Sequence, residues 1–91
     1  MTDFILYHTS ACHLCELAED ILLPVMQQHQ QVMQRVDIAD DDILLDTYGV
    51  RIPVLRHLAS GNELGWPFAQ TQALEFVRMT TGQNGNNGNA A

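Results

Sequence analysis

The sequence predicts an α/β domain with a four-stranded mixed sheet flanked by three helices, and three observations predict it. The apolar run Phe4-Ile5-Leu6-Tyr7 passes through a short polar link into an amphipathic helical stretch. A second apolar run, from Val32 to Ile38, follows that helix, so the economical arrangement is a right-handed crossover that lays strands one and two parallel. Farther on, Ser60-Gly61-Asn62 separates two short strand-like runs and is a hairpin signal, which adds an antiparallel pair.

In the first strand and helix, Thr9 or Ser10 is placed to cap the helix, its oxygen accepting from an N–H one turn in. Leu14, Leu17, Ala18, Ile21, Leu22 and Val25 recur with helical period and predict the buried stripe, with Glu16, Glu19 and Asp20 toward solvent. Pro24, which lacks an N–H and crowds the preceding turn, is expected to bend or interrupt this helix, and Gln27 to Gln31 to carry it to its end. In the second strand, positions 32, 33, 36 and 38 are apolar.

Asp40, Asp41 and Asp42 supply a cap and an acidic first turn for a short helix, with Ile43, Leu44 and Tyr48 inward and Gly49 ending it. Val50 to Leu58 is expected to be a third strand interrupted near its start by Pro53, and Glu63 to Trp66 a fourth. Pro67-Phe68 opens a last helix from Ala69 to about Thr80, with Phe68, Ala73, Leu74 and Val77 on the sheet. Phe4 and Phe76 are expected in the core, Met26, Met33 and Met79 as core filler or helix surface, and His29 and His57 at the surface. Residues 1–81 form one domain, and the Gly- and Asn-rich residues 82–91 offer nothing to bury and are expected to be a disordered tail.

Composition narrows the function. With 46% hydrophobic and 16% charged residues the chain has the makings of a globular domain. A net charge of −7, with four scattered arginines and no lysine, argues against nucleic acid or an anionic membrane, since phosphate binding needs clustered positive charge. No apolar run approaches the roughly 20 residues that cross a bilayer. The start Met1-Thr2-Asp3-Phe4 lacks a signal-peptide pattern, so the expected location is the cytoplasm.

The two cysteines, Cys12 and Cys15, sit three residues apart where a strand hands over to a helix. Unpartnered N–H groups and aligned peptide dipoles favour negative charge at a helix start, so a thiol there ionises more easily. The spacing puts both sulfurs on one face within a turn, able to close into a small disulfide and open again. In a reducing compartment such a pair is redox-active or metal-binding rather than a permanent staple. His13 between them favours the thiolate when protonated, whereas Glu16, Glu19 and Asp20 oppose it, and the balance predicts a mild lowering of the Cys12 pKa. Zinc held by His8, Cys12, His13 and Cys15 is the weaker alternative, because no second ligand pair follows at finger-like distance, and an iron-sulfur cluster would need two chains to share it.

Leu6-Tyr7-His8-Thr9-Ser10-Ala11-Cys12-His13-Leu14-Cys15, Tyr48-Gly49-Val50-Arg51-Ile52-Pro53-Val54-Leu55 and the Gly61-Asn62 hairpin together resemble the thioredoxin superfamily, and within it the small glutaredoxin-like proteins. The resemblance implies a thioredoxin-like fold, a cis Pro53 beside the cysteines, and an Ile52 backbone free to pair with an extended substrate. It further implies catalytic residues Cys12, the exposed nucleophile, and Cys15, the buried resolving thiol, with His13, Leu14, Ile52 and Pro53 contacting substrate. The implied activity is thiol-disulfide exchange by a monomer on a disulfide-containing protein or low-molecular-weight thiol, with no bound cofactor or metal and with an external reductant, glutathione or a thioredoxin reductase system. A non-catalytic binding module and a metal or cluster carrier are the alternatives. Two departures bear on glutathione: Thr9 stands where many glutaredoxins carry a basic residue, and Gly65-Trp66-Pro67-Phe68 stands where they carry Gly-Gly-x-Asp. The Trp-Cys-Gly-Pro-Cys signature of thioredoxin is also missing.

Overall fold

The sheet runs in the order β2-β1-β3-β4, with β1 at Phe4–His8, β2 at Met33–Asp37, β3 at Val54–His57 and β4 at Glu63–Gly65. These coordinates come from a computed structural model that describes residues 2–82. β1 and β2 are parallel with Phe4 opposite Met33, and β1 and β3 are antiparallel with Phe4 opposite His57 and Tyr7 opposite Val54. β3 and β4 form the expected hairpin, whose turn places Gly61 at φ +78°, a conformation that L side chains rarely adopt. The expected tail over 82–91 lies, but for Gly82, outside the described residues.

Because side chains alternate along a strand, β1 feeds two separate apolar clusters. Phe4 and Leu6 join Leu55 of β3 with Ala18, Leu22, Val25 and Met26 of helix α1 (His13–Gln28) and Ala73 and Val77 of helix α3 (Gln70–Val77). Tyr7 meets Ile38, Val54 and Tyr48 of helix α2 (Asp42–Tyr48), with Ile5, Val36, Leu44 and Ile52 around them. Two helices therefore serve one cluster and one short helix the other. Tyr7 and Tyr48 stack with ring centroids 4.2 Å apart.

The buried face of α1 is Cys15, Ala18, Leu22, Val25 and Met26, so the expected stripe is rotated: Leu14 and Leu17 are 45% and 39% exposed. Cys15 takes the inward place that Leu14 was expected to fill. Pro24 does not interrupt the helix. Pro24 and Asp20 are both exposed, and the carbonyl that loses its partner on that side is open to hydration. The helix ends in a Schellman arrangement without glycine: Gln30 sits at φ 55°, the Gln31 N–H donates to Met26 O at 2.9 Å and the Gln30 N–H to Gln27 O at 3.2 Å.

Asp41 is the cap of α2, its Oδ1 accepting from the Ile43 and Leu44 N–H groups at 2.9 and 3.1 Å. Ile43, expected inward, is 76% exposed because the first turn of α2 turns Leu44 and Tyr48 to the sheet instead. Gly49 ends the helix, and a Cβ there would fall 2.5 Å from Leu45 O. Residues 50 to 53 are a turn rather than strand, since the Arg51 and Ile52 N–H groups fold back onto Tyr48 O at 2.8 and 3.1 Å, and β3 begins only after the proline. α3 is shorter than expected and passes at Arg78 into a π-helical turn, Arg78–Gly82. The Thr80 hydroxyl donates to Phe76 O at 2.8 Å and the Thr81 hydroxyl to Val77 O at 2.6 Å, competing for the carbonyls of the last α-helical turn.

A polar knot ties α2 to the hairpin. The Tyr48 hydroxyl donates to Glu63 Oε2, and Arg51 and Arg56 reach Glu63 at 2.8 and 3.3 Å. The Tyr48 bond, followed by Arg51, holds the Glu63 carboxyl below its ordinary range despite some burial, while burial and the same bond raise the Tyr48 phenol.

His57, expected at the surface, is 5% exposed. It lies opposite Phe4, ring centroids 4.9 Å apart, and its Nδ1 accepts the Ser60 N–H at 3.3 Å with the Ser60 hydroxyl at 2.8 Å. Desolvation holds its pKa below the ordinary imidazole value. A base whose folded pKa is depressed contributes stability above its unfolded pKa, near 6.5, and loses it as pH falls below that. The urea midpoint of the protein is accordingly expected to drop between pH 7 and pH 5, and the drop to shrink in His57→Phe. Asp37 and Glu63, whose carboxyls are also lowered, shed their contributions only below about pH 4, so equal slopes in the two proteins over that window would exclude His57 as the cause.

Candidate active site

The link between β1 and α1 is tethered at one end and bent at the other. At the end of β1 the Thr9 hydroxyl donates to Asp37 Oδ1 at 3.0 Å, and the same oxygen accepts the Ala39 N–H at 2.9 Å. The Ala39 N–H first, and then the Thr9 hydroxyl, hold the Asp37 carboxyl below its ordinary value. Ala11 then adopts φ 58°, a left-handed conformation that is costly for a residue with a Cβ and that turns the chain into the helix.

Neither Thr9 nor Ser10 caps α1. The cap is Cys12 itself, whose Sγ accepts the Cys15 N–H at 3.1 Å. Thr9 is drawn away to Asp37, and the left-handed turn at Ala11 makes Cys12 the last extended residue. The two cysteines are joined as a disulfide with Cα atoms 5.2 Å apart. Cys12 is half-buried, whereas Cys15 is 4% exposed.

His13 and Leu14 are exposed beside the pair on the first turn of α1. The Ile52-Pro53 peptide is cis, as is Trp66-Pro67, which the sequence did not suggest. Tyr7 pairs with Val54, so Pro53, one residue outward, lies at the same end of the sheet as the link to the cysteines. The expected free Ile52 backbone needs correction on one side: its N–H donates to Tyr48 O, because the turn caps α2, and only its carbonyl is left to offer an extended chain. Tyr7 and Phe68 are buried, and Trp66 packs edge-on to Phe68 at 5.1 Å between centroids.

On the other side of the cysteines lies a cavity of about 250 Å³ whose walls include Cys12, Cys15, His8, Glu16, Glu19 and Arg35. Arg35 Nη1 is 3.4 Å from Glu19 Oε1. Glu19, singled out as a solvent-side acid, is thus part of a wall, and Arg35 and Asp37 join the site from β2. Both are distant in sequence and carried no local motif. Among the described residues no group of three or more His, Cys, Asp or Glu side chains is placed to hold a metal ion. Nor is any helix among them long and apolar enough to cross a membrane.

Residues 3–77 match the family model described as "Glutaredoxin-like domain (DUF836)". Among solved structures, the chain is similar to the structural genomics target protein XcR50 from X. campestris. The X-ray structure of that protein gives a TM-score of 0.74 at 34% identity, over 84% of this chain and 96% of that one. Its solution structure gives 0.74 at 33% identity, over 86% and 95%. Protein Ne2328 from Nitrosomonas europaea shares the fold at 23% identity, with a TM-score of 0.69 over 82% of this chain and 88% of that one. Comparison with curated proteins gives no match.

Proposed function

Because this chain, with its thioredoxin-like sheet and its cysteine pair, belongs to the glutaredoxin-like family, we propose that it is a thiol-disulfide oxidoreductase working through Cys12 and Cys15. The observation that carries this reading is the asymmetry of the pair. The reachable sulfur is the one that receives a helix-start N–H, and the buried one is a single turn away and bonded to it.

In the reduced protein the Cys12 thiolate attacks a sulfur of the substrate disulfide, forming a mixed disulfide and releasing one substrate sulfur as thiolate, which takes a proton from solvent. The Cys15 thiolate then attacks the Cys12 sulfur, expels the second substrate sulfur and closes the Cys12–Cys15 bond. Two electrons pass from protein to substrate. His13, Leu14, Pro53 and the Ile52 carbonyl form the side on which an extended substrate rests. No bound cofactor enters these steps, and an external reductant, glutathione or a thioredoxin reductase system, returns the pair to dithiol in a reducing compartment such as the cytoplasm. The protein acts as a monomer.

The test is a coupled NADPH assay with an accessible model disulfide, supplying electrons through glutathione and glutathione reductase in one arm and thioredoxin reductase in the other. NADPH consumption that depends on this protein in either arm is expected. Silence in both would give the site to a binding module instead.

A further inference from the structure

All four arginines of the chain are already committed to carboxylates: Arg35 to Glu19, Arg51 and Arg56 to Glu63, and Arg78 to Glu75. The sequence has no lysine and a net charge of −7. The cavity lined by Cys12 and Cys15 has one of these arginines and two acids, Glu16 and Glu19, in its wall. Arg35 offsets Glu19, so the cavity wall beside the cysteines carries the uncompensated charge of Glu16. Behind the link, Asp37 adds a further carboxylate, held by Thr9 and Ala39.

From this charge balance, and resting on the exchange activity proposed above, we infer that the site selects disulfides with a cationic group, an ammonium or guanidinium, close to the sulfur that Cys12 attacks. The cavity is large enough for such a group, since about 250 Å³ exceeds several times the roughly 30 Å³ that a water molecule occupies in the liquid. An anionic substituent would meet Glu16 with no free cation to receive it. The same field raises the local concentration of cationic disulfides and lowers that of anionic ones. The preference concerns which disulfide forms the mixed intermediate, and the exchange step is unchanged: one protein dithiol and one substrate disulfide become one protein disulfide and two substrate thiols.

The experiment uses full-length protein, reduced and freed of reductant, at pH 8, above the ordinary imidazole range. Rates of mixed-disulfide formation are measured with cystamine, 3,3′-dithiodipropionate and the neutral 2-hydroxyethyl disulfide. Each is divided by the rate of the same disulfide with free 2-mercaptoethanol, which removes intrinsic reactivity. The normalised cystamine-to-dithiodipropionate ratio is expected to be about 10 at low salt and to fall toward 1 in about 1 M salt, where the screening length is about 3 Å. Glu16→Gln combined with Glu19→Gln leaves Arg35 alone in the wall and is expected to lower the ratio about three- to tenfold, whereas Arg35→Gln raises it. A cystine peptide flanked by lysines outpacing cystamine would assign the cationic group to proteins, and the reverse order to small amines.

A normalised ratio near 1, or one indifferent to both variants while 2-hydroxyethyl disulfide still reacts, overturns the charge selection and leaves the exchange activity standing. Failure of the wild type to react with all three disulfides overturns both. The neutral disulfide reports whether each variant retains a working site.

Discussion

Cys12→Ser is expected to reduce disulfide exchange to background, a loss of roughly three orders of magnitude or more, while Cys15→Ser keeps the first step and stops at the second. The two outcomes differ because the sulfurs occupy different environments. Cys12 is within reach of solvent and receives the Cys15 N–H at 3.1 Å, so it combines access with a helix-start donor. Cys15 is 4% exposed, and its sulfur can act on little besides the neighbouring one. Intact-mass measurement after mixing with 2-hydroxyethyl disulfide should therefore show Cys15→Ser carrying one substrate half as a stable adduct, and Cys12→Ser carrying none. The Ser at position 15 keeps the N–H that points at Cys12, so the attacking sulfur remains activated. An adduct on Cys12→Ser but not on Cys15→Ser would reverse the assignment, and exchange surviving in both would remove the cysteines from the chemistry.

How much of this was legible in the sequence depends on the range over which each feature is determined. The strand, helix and strand that open the chain, and the hairpin at Gly61-Asn62, are local patterns, and they appear where periodicity and turn chemistry put them. The periodic stripe includes Leu14 and Leu17, which are exposed, because the inward place at the start of α1 belongs to Cys15, whose burial the resemblance implies and the apolar period does not include. The cap at Cys12 is not legible in the sequence, because serine and threonine are the usual residues whose side-chain oxygen accepts the capping N–H, and a sulfur in that role has no comparable signature. What displaced Thr9 was a carboxylate 28 residues away, and no window along the chain contains both. Arg35 came into the site in the same way, through its place on the strand beside β1. The burial of His57 had a weak local sign, the Ser60 hydroxyl three residues on, but depended mainly on the Phe4 ring across the sheet.

Leu22→Ala is expected to cost about 3–5 kcal/mol, whereas Leu14→Ala on the same helix should change stability by no more than about 0.5 kcal/mol. Leu22 is fully buried among Phe4, Leu6, Leu55 and Val77, where truncation removes apolar contact from a close-packed cluster and leaves a cavity. Leu14 is 45% exposed and does not belong to that cluster. Native domains are stable by only about 5–15 kcal/mol, with small ones toward the low end, so the first substitution brings this chain near its unfolding limit at 25 °C. Urea midpoints of the two variants measure the difference directly, and comparable losses would mean that α1 is rotated from the orientation described. That rotation matters beyond stability. The turn that places Leu22 inward also places Cys15, seven residues earlier on the same face, inward, so the packing of one leucine and the burial of one sulfur are consequences of the same helical phase, while Cys12 is left half-buried because it lies outside the helix at its cap.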